Sequence, residues 1–160
     1  MRKAMIVLAA AVALSLPANA ADDEFYGTYQ LVSRTRTVVE TGQVIVLSKD
    51  HGFITYGKDG RMMVISVRGN RPKAESIDKM TDQQRAELHS SMTAYGGTYK
   101  FDGKTIEHHI DISWNEVWTG TKQVRNVKRD GNRLIYTTRP APNPDDGKMS
   151  ISTLVWEKVK

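Results

Sequence analysis

The adjacent pair His108-His109 is the first place where residue type suggests chemistry. Two neighbouring imidazoles invite a metal ion, but successive side chains of a strand point to opposite faces. Along the strand-like run 104–114, Ile106, His108, Ile110, Ile112 and Trp114 share one face. Thr105, Glu107, His109, Asp111 and Ser113 share the other. The two rings therefore diverge and cannot hold one ion. His109 and Asp111 do face the same way, yet two ligands without a third do not make a site. No metal site and no cofactor are expected. His108 stands alone on an apolar face. It is either a core histidine satisfied by hydrogen bonds or the polar anchor of a cavity, able to orient a ligand or move a proton.

The run 121–129 supplies possible company. Thr121, Gln123, Arg125 and Val127 alternate with Lys122, Val124, Asn126 and Lys128. Neither set is clearly apolar, so alternation leaves the inward face open. An inward Arg125 must find a carboxylate, a carbonyl or a ligand anion; an outward one is simply solvated. Met62-Met63-Val64-Ile65 is apolar on both faces, which suits a strand with a lumen on one side and a helix on the other. Met62, Tyr56, Tyr99, Trp118 and Trp156 are candidates to line the same cavity, each equally at home as core. Other chemistries lack their residues. Without Cys there is no disulfide framework, thiolate zinc site or cysteine nucleophile. Neither a nucleophile elbow nor a phosphate-cradling glycine loop is present.

The elements that must position these residues read as strands. The 160 residues, 39% hydrophobic and 26% charged, suit one globular domain. Met1-Arg2-Lys3, the apolar run 4–16, Pro17 and Ala18-Asn19-Ala20 form a cleavable signal peptide over residues 1–20. The apolar run is short for a bilayer span, which needs about 20 residues. A mature domain over 21–160 is expected, periplasmic or secreted from a bacterium and with no membrane anchor after cleavage. Loss of Arg2 and Lys3 lowers the net charge from +5 to +3, too little to imply nucleic acid. Short apolar runs cover 26–34, 37–40, 44–47, 53–56, 62–67, 97–101, 104–113, 121–129, 133–139 and 150–159. Asp59-Gly60, Asp102-Gly103 and Asp130-Gly131 punctuate them as hairpin turns. About eight or nine hairpin-linked strands predict an all-β antiparallel up-and-down barrel. Arg71-Pro72 and the stretch Pro140-Ala141-Pro142-Asn143-Pro144 mark loops that cannot be interior strands. One short α-helix interrupts the meander: Thr81 and Gln84 make a capping box, and Leu88, Met92 and Tyr95 recur on one face as a core stripe up to Gly96-Gly97.

Gly27-Thr28-Tyr29-Gln30-Leu31-Val32-Ser33 resembles the opening G-T-W-x-L-V-S of the bacterial lipocalin-like domain family. Gly52-Phe53-Ile54-Thr55-Tyr56 with Asp59-Gly60-Arg61-Met62 is similar to a later segment of that family. The resemblance continues through Tyr95-Gly96-Gly97-Thr98-Tyr99, His108-His109, Trp118-Thr119-Gly120 with Gln123-Val124-Arg125, and Asp130-Gly131-Asn132-Arg133-Leu134. It ends at Leu154-Val155-Trp156-Glu157. It implies a lipocalin-like barrel with a small internal cavity. Tyr29 stands where the family has Trp.

The leading expectation is an exported barrel binding a small, largely apolar ligand in its lumen, with His108, Arg125 and Gln123 as polar contacts. The alternative is a lumenal isomerase or cyclase with His108 as general base and Arg125 stabilising negative charge. No second acid–base residue shares that face, so an enzyme is the weaker reading. A filled barrel with a structural or partner-binding role is the third. No nucleic-acid partner is expected, because the aromatics do not cluster with Lys and Arg on one strand face.

Overall fold

A computed structural model describes residues 25–47 and 49–160. The signal peptide expected at residues 1–20 lies outside them. Among the described residues, no helix is long and apolar enough to cross a membrane. Ten antiparallel strands form one sheet: β1 Gly27–Val38, β2 Val44–Val46, β3 His51–Tyr56, β4 Arg61–Val67, β5 Met92–Phe101, β6 Thr105–Ser113, β7 Lys122–Asp130, β8 Arg133–Thr138, β9 Ala141–Pro142 and β10 Met149–Lys158. Eight of them run β1-β3-β4-β5-β6-β7-β8-β10, and β10 pairs back onto β1 to close the barrel. The short strands β2 and β9 add to β1 and β10. The prolines of 140–144 sit beside β10 at the sheet's edge, where a missing N–H leaves no gap in the ladder.

The three Asp-Gly pairs turn the β3–β4, β5–β6 and β7–β8 hairpins, all at one end of the barrel. At Asp102-Gly103 the Asp102 carboxylate accepts from the Lys104 and Thr105 N–H groups. Gly103 then adopts φ +91°, which a side chain would oppose. That end is packed with aromatics. Phe25 stacks on Phe101 at 4.5 Å and lies 4.6 Å from Tyr56, with Tyr99 beside both. Tyr29 is buried at this end and donates its hydroxyl to the Phe25 carbonyl.

The strand boundaries differ from the sequence reading in two places. The runs 26–34 and 37–40 are one strand, β1, held along its length by β10. A bulge at Val32, between Leu31 and Ser33, shifts its parity, so that Arg34, Arg36 and Val38 follow Tyr29 and Leu31 on the inner side. A second irregularity, at Gly96/Gly97, puts Asp111 between the partners of those glycines. Ile112 therefore leaves the inner face that Ile106, His108 and Ile110 occupy and stands 68% exposed outside.

The helix α1 spans only Asp82–Ser90. Its capping box is formed as read: Thr81 Oγ1 accepts from Gln84 N–H, and Gln84 Oε1 accepts from Thr81 N–H. The core stripe is not: α1 has no buried residue, and Met92 and Tyr95 belong to β5. Nor does α1 cover β4. Met62 and Val64 point inward, whereas Met63 (66% exposed) and Ile65 face an open apolar groove with Phe53 and Ile112. The reason lies in composition, since only Leu88 and Ala86 are apolar in this helix.

Candidate functional site

One line of hydrogen bonds crosses the interior of the barrel. His108, on β6, is 1% exposed. Its Nε2 lies 2.8 Å from the Tyr56 hydroxyl and its Nδ1 2.9 Å from the Tyr95 hydroxyl. Tyr136 donates to the Tyr56 oxygen at 2.8 Å. Tyr56 must then give its own proton to His108 Nε2. The ring is neutral with its hydrogen on Nδ1, and that hydrogen goes to Tyr95. Burial, aided by the Arg125 charge, pushes the His108 pKa down to about 3. Burial likewise raises the hydroxyl pKa values of Tyr56, Tyr95 and Tyr136. The four groups are uncharged at neutral pH and exchange hydrogen bonds with one another.

Above this line the barrel is not full. A cavity of about 120 Å³ is walled by Ile54, Val64, Tyr95, His108, Trp118, Arg125, Tyr136, Leu154 and Trp156, with Arg34 and several hydroxyl residues. It lies next to an open groove of about 420 Å³ at the mouth, with which it shares Arg34, Arg125, Thr138 and Ser152. Lys122, Gln123 and the loop Arg139–Pro144 complete the groove. The inward face of β7 is thus that of Gln123, Arg125 and Val127. One Arg125 nitrogen (Nη1) reaches the Gln123 side-chain oxygen at 3.2 Å and the Val124 carbonyl at 3.1 Å. No carboxylate among the described residues pairs with it.

The profile of the lipocalin-like domain matches residues 26–159. The chain belongs to this lipocalin-like family. Among solved structures, an uncharacterized protein from Bacteroides eggerthii is similar at 14% identity, with a TM-score of 0.42. The match covers 84% of this chain and 98% of that one. No curated protein matches.

Within this lipocalin-like barrel, the residues singled out from sequence divide into three groups. His108, Arg125, Trp118 and Trp156 line the inner cavity, and Gln123 lines the mouth beside Arg125. Tyr56 stands one hydrogen bond behind the cavity wall. Tyr99 and Met62 do not join them. Tyr99 sits in the aromatic end and donates to the Gly57 carbonyl, and Met62 is core opposite Tyr56 and Gly97. His109 is on the outside against Glu107. Tyr95, Tyr136 and Arg34 are cavity residues that sequence reasoning passed over. Alternation in Arg133–Thr138 was enough to turn Tyr136 inward with Leu134. No comparable signal marked Arg34, whose inward position depends on the bulge at Val32.

Proposed function

We infer that this lipocalin-like protein binds a small molecule in its lumen, with an apolar portion against Trp118 and Leu154 and a polar end met by Arg125. The observation that carries the reading is the contrast between the barrel's ends. Stacked rings seal one end, and the other keeps an inner cavity beside an open groove, with Arg125 on the wall of both. A barrel of this size either fills itself with side chains or holds one small ligand. A guanidinium turned inward without a carboxylate fits the second use better than the first.

Binding is favoured over proton-transfer chemistry by the state of His108. Both ring nitrogens are engaged by tyrosines, and a pKa near 3 leaves the ring a weak base at neutral pH. His108 serves this reading as a positioning residue that fixes Tyr95 on the cavity wall. Export to the bacterial periplasm or beyond is supported by the basic start, the apolar run and Ala18-Asn19-Ala20.

Native mass spectrometry of the protein, released gently from the periplasm, tests both parts. The expected result is a chain beginning at Ala21 that carries an extra small mass. An unprocessed chain recovered from the cytoplasm would overturn the export reading. An empty chain that also fails to bind any of a panel of neutral and charged small probes would overturn the lumenal one.

A further inference from the structure

The cavity that this reading assigns to a ligand is lined by hydrogen-bond donors with nothing to donate to. Trp156 is 2% exposed, and its indole Nε1–H is buried without a partner. Arg34 Nε is also buried and unpartnered, and the nearest carboxylate to that guanidinium, Asp50, lies 3.4 Å from Nη1. Tyr95 accepts from His108 Nδ1, so its own hydroxyl proton is left over, with no acceptor among the described residues. Arg125 satisfies Nη1 on two neutral oxygens of its own strand and leaves its charge uncompensated.

Charged acceptors are lacking there. Neither the inner cavity nor the mouth groove contains an Asp or Glu, and Lys122 and Arg139 add two further cations at the mouth. A buried donor without an acceptor forfeits its hydration, a loss of about 1–3 kcal/mol for each group. Trp156 Nε1, Arg34 Nε and the Tyr95 hydroxyl border this one cavity from three strands, and with the Arg125 guanidinium beside them they are complementary to a concentrated negative charge. Ile54, Val64, Trp118 and Leu154 form an apolar part of the wall that suits carbon and not the hydration shell of an inorganic ion, and the hydroxyls of Ser66, Thr93, Thr138 and Ser152 complete it. Planar guanidinia match a carboxylate in shape as well as charge.

We propose that the lumen is a carboxylate site: it takes the carboxyl end of a small organic acid onto Trp156 Nε1, Arg34, Arg125 and the Tyr95 hydroxyl, while the rest of the molecule lies against the apolar wall or extends into the mouth groove. The proposal rests on the lumenal-binding reading and narrows it from a small molecule to an anionic one. A volume of about 120 Å³ limits the part held in the inner cavity to somewhat less than a benzene ring, which a cavity of about 150 Å³ accommodates elsewhere.

Titration of the ¹⁵N-labelled protein with acetate, butyrate, hexanoate and benzoate, each against its primary amide at equal ionic strength, tests it. Three indole N–H signals are available, one per tryptophan, and Trp→Phe variants assign them. The expected result is that at least one acid binds ten-fold or more tighter than its amide and moves the Trp156 signal downfield. Arg125→Gln then weakens that acid by about ten-fold and leaves the amide unchanged. Equal affinity for acid and amide, with lumenal signals moving, overturns the carboxylate assignment and leaves lumenal binding standing. Inorganic phosphate moving the Trp156 signal as strongly as the acids overturns it in favour of a bare anion. If no probe moves a lumenal signal, both readings fall.

Discussion

At the scale of single residues, His108 links packing to pH. In the unfolded chain its imidazole takes up a proton near the ordinary value of 6.5, which the native barrel refuses until about pH 3. Stability is therefore complete above about pH 7 and falls as the pH drops through that window, by up to roughly 1.4 kcal/mol per pH unit from this one group. Urea midpoints measured from pH 7 to 5.5 check this, above the range in which Asp102, Glu107 and Asp146, held below their usual values in the native state, take up protons in the unfolded chain and lower stability themselves. His108→Gln, which can hydrogen-bond but does not titrate there, is expected to flatten the slope; an unchanged slope would assign it to other groups. His108→Ala removes a partner from both Tyr56 and Tyr95 and should cost about 3 kcal/mol or more at pH 7, and less as the pH falls, because the variant lacks the titration that weakens the native protein. The sequence disclosed His108 because strand parity put it among isoleucines. It could not disclose that tyrosines occupy both ring nitrogens, since Tyr56, Tyr95 and Tyr136 come from three other strands.

At the scale of elements, the hairpins were legible and the bulges were not. Asp-Gly pairs announce their turns locally, whereas a bulge is a relation between two strands that neither strand states alone. The one at Gly96/Gly97 depends on close backbone approach. A Cβ on Gly97 would lie 1.9 Å from the His109 carbonyl oxygen, which is backbone and cannot swing aside. Gly97→Ala is expected to destabilise the barrel by about 2 kcal/mol or more, and thermal melting reads it. The helix predicts the opposite. Thr81→Ala deletes a formed cap, a change commonly worth about 1 kcal/mol to a helix. Here α1 buries nothing, so the global melting temperature should barely move while helical hydrogen exchange between 82 and 90 accelerates. The misplaced end of that helix has the same origin. Leu88, Met92 and Tyr95 keep helical spacing by coincidence, and pairing of Met92–Thr98 with Arg61–Val67 prevails over it.

At the scale of the whole molecule, the decisive contact joins the first and last strands of the barrel. β1 and β10 pair from Tyr29 with Lys158 to Val38 with Ser150, and without that ladder the sheet is open and its core exposed. Contacts so distant in sequence form late, so refolding by stopped flow should take milliseconds to seconds, as for other non-local β topologies. Microsecond refolding would mean that closure is not limiting. The family resemblance made the barrel readable in advance because its motifs lie on β1, β3, β5, β6, β7 and β10 in order. The same ladder has a practical corollary. The start of β1 and the end of β10 lie side by side, with the Val159 N–H on the Thr28 carbonyl, so a short Gly-Ser bridge could join them, and the largely exposed stretch 73–79 could be cut to begin the chain anew. Such a circular permutant would present fused partners beside the mouth groove instead of at the sealed floor.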